Sequence, residues 1–181
     1  MQTNDAHTDD ITIGEEAMAQ FVRPGLKVGH IIPGFKLNSA QNAEISPVDY
    51  KGRKNLVIIF ADLRSGSDLE MLAEVGRRYH EFADDNAEVL AIATGSKEEF
   101  DVCAKTLRLQ FPLLSDAGRE TTCSYCVAGT MIFVTDKFGE LKMLSGLTES
   151  NLDEKLDEAR STLELIELEC PECGVSTWPV E

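Results

Sequence analysis

The sequence predicts an α/β fold in which a central mixed β-sheet lies between layers of helices, and three features carry this prediction. The run Leu56–Ala61 is continuously apolar and rich in β-branched residues, which is typical of a strand buried on both faces. Residues 66–83 follow it with a helical spacing of apolar side chains. Late in the chain, Met131–Thr135 and Glu140–Leu144 flank a short turn and predict an antiparallel hairpin.

The elements around the central strand follow in order. Phe35–Leu37 and Glu44–Ser46 are predicted as short strands, and Glu88–Thr94 as a second buried strand. The helix over 66–83 is predicted to bury one apolar stripe. That stripe consists of Leu69, Leu72, Ala73, Gly76, Tyr79 and Phe82. Its opposite face carries Glu70, Glu74, Arg77, Arg78 and Glu81.

Capping signals place the later helices. Ser96 and Glu99 form a capping box that predicts a helix over Lys97–Leu107, and Phe111–Asp116 is predicted as a proline-bearing connector. A last helix is predicted over Asn151–Ile166, capped by Ser150. Its apolar side consists of Leu152, Leu156, Ala159, Leu163 and Ile166.

These elements predict one domain with two extensions. Residues 1–25 are predicted as an acidic N-terminal arm, residues 26–166 as the globular domain, and residues 167–181 as a cysteine-bearing C-terminal tail. No internal repeat or low-complexity segment interrupts this order.

The charge of the chain excludes two classes of partner. A formal net charge of −15 and a pI near 4.6 leave no basic footprint for nucleic acid or anionic lipid. The N-terminus lacks a basic segment followed by an apolar stretch, and Leu56–Ala61 is too short to cross a bilayer. We therefore expect a cytoplasmic protein that binds neither nucleic acid nor membrane, with its thiols kept reduced.

The five cysteines are Cys103, Cys123, Cys126, Cys170 and Cys173. Four of them form two Cys-x-x-Cys pairs, one at 123–126 and one in the tail at 170–173. In a reducing compartment such pairs indicate redox exchange or metal binding more often than structural disulfides. Cys103 lies on the apolar side of its helix and is predicted to be a core residue.

Several short segments, in this order and spacing, carry a family resemblance. They are Val28–Leu37, Asp49–Gly52, Leu56–Phe60, Phe111–Asp116, and Tyr125–Val127 leading into Phe133–Gly139. Together they resemble the thioredoxin-fold superfamily, in particular its peroxiredoxin branch of alkyl hydroperoxide reductases, thiol-specific antioxidants and redoxins. The likeness covers about residues 26–165 and implies a thioredoxin-like three-layer fold.

The resemblance also implies a site at the start of the first long helix, and this chain departs from it there. The family's reactive cysteine corresponds to Ser67, and a thioredoxin-type cysteine pair corresponds to Ser65 and Asp68. The arginine that polarises peroxide falls near Thr130, and the cis-proline of thioredoxin-like sites falls near Met131. Peroxide reduction needs a thiolate, and a serine hydroxyl is a poor nucleophile without an adjacent base.

Three interpretations of the paired cysteines remain open at this stage. The pairs at Cys123/Cys126 and Cys170/Cys173 are redox dithiols that exchange electrons. Alternatively, the four sulfurs hold a structural zinc ion, within one chain or across a dimer. In the third interpretation Cys123 and Cys126 are small buried hydrophobes, and the tail pair has no joint role.

The favoured function is an atypical redoxin, an antioxidant-type thiol–disulfide oxidoreductase that lacks the usual peroxidatic cysteine. It would work with a thiol-redox partner protein, and the resemblance implies a homodimer. The alternative is a non-catalytic thioredoxin-fold binding or assembly module in which the cysteines hold zinc.

Overall fold

The structure, a computed structural model, describes residues 25–168. The strands in this part of the chain are β1 Leu37–Ser39, β2 Glu44–Ile45, β3 Asn55–Asp62, β4 Ala87–Thr94, β5 Leu113–Ser115, β6 Met131–Thr135 and β7 Leu141–Gly146. The helices are α1 Gly66–Asp84, α2 Lys97–Leu107, α3 Glu120–Ser124 and α4 Leu152–Leu168, with a 3₁₀ turn at Pro47–Tyr50.

The predicted central strand is confirmed as β3. Each side chain from Leu56 to Phe60 is at most 2% exposed, because both faces of the strand are covered. β3 pairs in parallel with β4 and antiparallel with β6, so the sheet is mixed as predicted. The order across the sheet is β2-β1-β5-β4-β3-β6-β7. The carboxyl ends of β3 and β4 therefore lie side by side at one edge.

Two apolar cores fill the two faces of the sheet. One face is covered by α1, α2 and α4, whose buried side chains pack against Val57, Ile59 and Val89. The other face is covered by the segment around Ile32 and Phe35 and by Tyr125, which pack against Ile58 and Phe60. This division places α4 and Tyr125 on opposite faces of the sheet.

The capping box predicted for α2 and the apolar periodicity predicted for α4 are confirmed. The Ser96 hydroxyl accepts from the Glu99 amide and the Glu99 carboxylate accepts from the Ser96 amide, so α2 begins where predicted. All five predicted core residues of α4 are buried. The helix itself runs from Leu152 to Leu168, one residue later at its start and two at its end than predicted.

The stripe predicted for α1 was partly wrong. The buried apolar residues are Met71, Leu72, Val75 and Phe82, whereas Leu69, Ala73, Gly76 and Tyr79 are only half-buried. The buried line of the helix starts at Asp68, which is itself buried. The prediction considered apolar residues only and therefore did not include Asp68 in the buried face. As a result, the predicted stripe begins at Leu69, one residue after the first buried residue of the helix.

Other boundaries also differ from the predictions. Leu113–Ser115, predicted within a connector, is strand β5 and pairs with β1 and β4. The first strand is Leu37–Ser39 rather than Phe35–Leu37. Neither the 3₁₀ turn nor α3 was predicted. Long-range pairing and short turns leave little periodicity in a sequence, which explains these differences. Residues 1–24 of the predicted N-terminal arm and residues 169–181 of the predicted tail lie outside the described residues.

Candidate functional site

The junction between β3 and α1 carries the residues that the resemblance aligns with the family's reactive position. α1 begins at Gly66, and Ser65 is its N-cap, since its hydroxyl accepts from the Asp68 amide at 3.3 Å. Ser67 and Asp68 occupy the first turn. The structure therefore brings Ser65, Ser67 and Asp68 together at this helix start, and none of them provides a thiol.

Asp68 is the most constrained residue of this junction. It is 7% exposed, and its Oδ2 atom accepts from the Asp62 amide at 2.9 Å and the Thr130 hydroxyl at 2.6 Å. Its Oδ1 atom accepts from the Ser65 hydroxyl at 2.9 Å. A carboxylate is buried at acceptable cost only when such donors surround it. Asp68 therefore ties β3, α1 and the start of β6 together. Sequence reasoning missed this role, because an aspartate in the first turn of a helix usually faces solvent.

The chemistry of this helix start does not favour a nucleophile. The Ser65 hydroxyl is bonded to Asp68, and the Ser65 and Ser67 oxygens are 2.9 Å apart. Arg64 contacts the Asp62 carboxylate through Nε at 3.0 Å and Nη2 at 2.9 Å, and these bonds lower the pKa of Asp62. Because its charge is neutralised there, Arg64 is a poor candidate for holding a substrate anion.

Thr130 and Met131 do not supply the missing groups. Thr130, at the predicted position of the helper arginine, donates its hydroxyl to Asp68. Met131 begins β6 and is half-buried, and every peptide bond among residues 25–168 is trans. Met131, which the resemblance aligns with the cis-proline of thioredoxin-like sites, is therefore an ordinary first residue of a strand.

Cys123 and Cys126 lie together on one tight turn. Cys123 is in α3, and the Cys126 amide donates to the Cys123 carbonyl at 3.1 Å. A bond of this i to i+3 type brings the two Cα atoms within about 7 Å, close to the range that a disulfide spans. Both side chains are exposed, so the interpretation of these two as buried hydrophobes is wrong. Cys126 has φ 53°, an uncommon conformation for a residue with a side chain.

The turn from Cys123 to Cys126, called the cysteine turn below, is anchored on both sides. Tyr125, between the two thiols, is 2% exposed, and its hydroxyl donates to the Pro33 carbonyl at 2.9 Å. Its ring packs against Phe60 and Phe133 at centroid distances of 5.2 and 5.4 Å. Burial raises the pKa of Tyr125 well above its ordinary value, so its hydroxyl stays neutral and donates. The two thiols are therefore presented from a rigid base.

Asp116 holds the other side of the turn. It is 2% exposed, and its Oδ2 accepts from the Thr122 amide at 2.7 Å and hydroxyl at 2.6 Å. The Asp116 amide in turn donates to the Ala93 carbonyl at 2.9 Å, near the carboxyl end of β4. The cysteine turn and the start of α1 thus lie at the same edge of the sheet, where open α/β folds usually place ligands.

Cys103 takes no part in this arrangement. It is 4% exposed on α2, and burial raises the pKa of its thiol. The predicted core role is confirmed. Its side chain lines a groove of about 290 Å³, whose largely apolar walls include Leu63, Leu69 and Val102. A raised pKa and low exposure both make this thiol unreactive.

The described residues supply only half of a four-thiolate metal site. No group of three or more histidine, cysteine or acidic side chains within residues 25–168 is arranged to hold a metal ion. A tetrahedral zinc site needs four ligands, of which this turn offers two. Cys170 and Cys173, the other predicted ligands, lie outside the described residues.

The mixed sheet and the helices that cover it define a thioredoxin-like three-layer fold. The sequence profile of the AhpC/TSA family matches residues 28–143, and the chain belongs to this family. The predicted resemblance to the alkyl hydroperoxide reductase and thiol-specific antioxidant branch is therefore confirmed.

Individual relatives agree with this assignment. The chain is 30% identical over 92 residues to alkyl hydroperoxide reductase E from Mycobacterium bovis and from Mycobacterium tuberculosis. The match covers 50% of this chain and spans 60% of the length of those relatives.

Solved structures share the fold at low sequence identity. Peroxidoxin BcpB from Mycobacterium tuberculosis superposes with a TM-score of 0.70 at 21% identity, over 78% of this chain and 98% of that one. A putative thiol:disulfide interchange protein DsbE from Chlorobium tepidum superposes with a TM-score of 0.70 at 15% identity, over 77% of this chain and 99% of that one. AhpC from Mycobacterium bovis superposes with a TM-score of 0.67 at 20% identity, over 84% of this chain and 100% of that one. At these identities the likeness establishes the three-layer thioredoxin-like fold.

None of the helices within residues 25–168 combines the length and the apolar character needed to cross a bilayer.

Proposed function

We propose that this protein is an atypical redoxin that carries out thiol–disulfide exchange at Cys123 and Cys126, and that the start of α1 is not its reactive centre. The observation that carries the proposal is the turn closed by the Cys126 amide on the Cys123 carbonyl, with both thiols exposed. Two accessible thiols at this separation form a reversible disulfide with little backbone movement.

The exchange balances without a bound cofactor. One thiolate of the pair attacks a sulfur of a substrate disulfide, forms a mixed disulfide and releases the other substrate sulfur as a thiolate. The second cysteine then attacks the mixed disulfide. The substrate leaves with two thiols, and the protein keeps the Cys123–Cys126 disulfide. Two electrons have moved to the substrate, and a partner dithiol returns them by the same steps in reverse.

The backbone of Cys126 supports a functional role. A residue other than glycine at φ 53° costs about 1 to 2 kcal/mol, and strained residues concentrate at functional sites. The anchors at Tyr125 and Asp116 offset this cost and keep the thiols at the surface. A cysteine with only a packing role would gain nothing from an exposed, left-handed position.

The tail pair extends the proposal. Cys170 and Cys173 provide a second dithiol, which suits them to exchange electrons with Cys123 and Cys126 or with a thiol-redox partner protein. We also propose a homodimeric, cytoplasmic protein. The names of its relatives, alkyl hydroperoxide reductase E and thiol:disulfide interchange protein DsbE, belong to the same area of thiol chemistry.

A turnover assay tests the proposed function. The wild-type protein should accelerate the reduction of insulin disulfides by dithiothreitol, and Cys123→Ser and Cys126→Ser should each lower that rate at least tenfold. Cys103→Ala is the matched control, since it removes a thiol from the same domain and should leave the rate unchanged. Equal rates in the wild type and in the Cys123→Ser, Cys126→Ser double variant would refute the proposal.

A second candidate is a non-catalytic binding or assembly module with a structural zinc. The same turn supports it, because two exposed thiols spaced Cys-x-x-Cys are half of a zinc site and Cys170-Pro-Glu-Cys173-Gly has the form of the other half. Metal analysis of protein purified without chelator separates the candidates. About one zinc ion per four thiolates, lost in the Cys123→Ser variant, would favour the zinc-binding module.

A further inference from the structure

We infer that the cysteine turn takes small disulfides that carry a carboxylate close to the sulfur, and that Arg119 is the residue that selects them. The inference rests on the proposed function and names its substrate class. It follows from the position of Arg119 beside Cys123, from the state of its guanidinium within residues 25–168, and from the neighbouring carboxylates.

The backbone holds Arg119 next to Cys123. The Cys123 amide donates to the Arg119 carbonyl at 2.9 Å, and the Arg119 amide donates to the Asp116 carbonyl at 2.9 Å. A bond between residues four apart, as in a helix, keeps their Cα atoms about 6 Å from each other. The long side chain of Arg119 can therefore reach a group that enters with a sulfur at the Cys123 thiol.

The charge of Arg119 has no direct partner within residues 25–168. The side chain is exposed, and its guanidinium makes neither a hydrogen bond nor an ion pair with these residues. The hydrogen bonds from Arg64 and, at longer range, the charge of Arg119 lower the pKa of Asp62. Asp62 is the last residue of β3. The guanidinium of Arg119 therefore lies at the edge of the sheet that the cysteine turn shares with the start of α1.

Two acidic residues lie close to Arg119 along the chain. Asp116 is 2% exposed, and its carboxylate accepts from the Thr122 amide at 2.7 Å and hydroxyl at 2.6 Å. The Glu120 side chain lies over Gly118, where an added Cβ atom would be 3.6 Å from the Glu120 Cγ atom. The Asp116 charge is compensated by these donors. The exposed Glu120 charge opposes the binding of an anion, so its removal should strengthen that binding.

A carboxylate on the substrate fits this arrangement. A guanidinium binds a carboxylate through charge-assisted hydrogen bonds, and Arg119 would thereby hold the substrate disulfide over the thiol pair. One thiolate of the turn attacks the nearer sulfur, and a substrate thiolate leaves. The second cysteine then displaces the other substrate thiolate. The substrate ends as two thiols and the turn as a disulfide, so two electrons pass from the turn to the substrate.

Exchange rates with three small disulfides test the inference. Dithiodipropionate, bis(hydroxyethyl) disulfide and cystamine carry negative, no and positive charge, respectively. Each protein is full-length and keeps only the two thiols of the cysteine turn, because the other three cysteines are replaced. The release of the probe thiol is measured by chromatography. Arg119→Gln should slow the reaction with dithiodipropionate about two- to fivefold, leave that with the neutral probe unchanged and accelerate that with cystamine.

Matched variants separate a local contact from a change in total charge. Arg108→Gln removes the same charge from another exposed arginine in the left-handed conformation, at the end of α2, and should leave the three rates unchanged. Arg119→Lys should retain most of the wild-type rate with dithiodipropionate, and Glu120→Gln should increase that rate. Because salt screens contacts between exposed charges, the effect of Arg119→Gln should shrink at about 0.5 M salt.

The outcomes distinguish this inference from the proposed function. Equal effects of Arg119→Gln on the three probes, or equal effects of Arg119→Gln and Arg108→Gln on the reaction with dithiodipropionate, would overturn the inference. Thiol–disulfide exchange at the turn would then still stand, provided that the reaction needs Cys123 and Cys126. Unchanged rates with all three probes after Cys123→Ser and Cys126→Ser would instead refute the proposed function and the inference with it.

Discussion

The hydroxyl of Thr130 donates a 2.6 Å hydrogen bond to the carboxylate of Asp68, and this bond joins the start of β6 to the first turn of α1. The residues involved are those that the family resemblance aligns with a peroxide-polarising arginine and a redox cysteine. In this chain they make a structural contact between two elements.

The hydrogen bond between Thr130 and Asp68 should contribute measurably to the free energy of unfolding. Replacing Thr130 with Val leaves the buried Asp68 carboxylate one donor short, so the free energy of unfolding should fall by about 1 to 3 kcal/mol. Urea denaturation measures this change. Thr106→Val is the matched control, since Thr106 is exposed on α2 and the same substitution there should cost under about 0.5 kcal/mol. Equal effects of the two variants would show that the Asp68 contact contributes nothing.

Hydrogen peroxide should be consumed far more slowly than an ordinary peroxiredoxin consumes it. The helix start holds Ser65, Ser67 and Asp68, and Arg64 is engaged by Asp62. Each missing transition-state interaction costs several kcal/mol, so the rate should be lower by orders of magnitude. Ser67→Cys alone should restore little, because Thr130 stands where the resemblance places the peroxide-polarising arginine, and its hydroxyl is bonded to Asp68. Stopped-flow consumption at ordinary peroxiredoxin rates in a variant without its five cysteines would contradict this view of the site.

The sequence predicted those parts of the fold whose signals are local or periodic. The five buried residues of α4 and the Ser96–Glu99 capping box follow directly from spacing and hydrogen-bonding chemistry. β5 was missed because its three residues become a strand only through pairing with distant β1 and β4. The cysteine turn was found from its spacing, but the exposure of both thiols depends on Tyr125 and Asp116 packing below it.

Asp68 shows why the site itself was harder to predict than the fold. Its burial depends on Thr130, sixty-two residues further along the chain. No local pattern reports such a contact, and a charged residue in a first helical turn normally favours solvent. The role of Cys170 and Cys173 stays a prediction.

Substitutions of Cys126 should separate backbone strain from thiol chemistry. Cys126→Gly relieves the left-handed conformation at φ 53°, whereas Cys126→Ser retains it, so the glycine variant should be the more stable by about 0.5 to 1 kcal/mol. Both variants should lose insulin reduction equally. Thermal or urea unfolding together with the turnover assay measures both effects. If the glycine variant is less stable than the serine variant, backbone strain at residue 126 does not dominate, and contacts of its side chain stabilise the fold by more than the strain costs.

Tyr79 should make stability fall at high pH. Burial, followed by the 2.9 Å bond to Glu88 and the charge of that residue, raises the pKa of Tyr79 from 10.0 to about 12. As pH rises, the Tyr79 hydroxyl therefore loses its proton in the unfolded chain before it does so in the folded protein. The stabilisation that Tyr79 gives the folded protein is complete below pH 10 and is lost as pH rises towards 12. In Tyr79→Phe the free energy of unfolding should decline less steeply over that interval. A slope identical to that of the wild type would mean that Tyr79 titrates normally in the folded protein.

The central claim is that Cys123 and Cys126 form a reversible disulfide, and the most direct test is to equilibrate the protein with glutathione buffers and map the products by mass spectrometry. Unreacted thiols are alkylated first, and Cys103 should resist alkylation until the protein unfolds. The account predicts that tryptic peptide 120–137 loses two hydrogens in one two-electron transition and regains them on reduction. Peptide 120–137 that stays fully reduced, or that carries only glutathione adducts, across the whole series of buffers would contradict it.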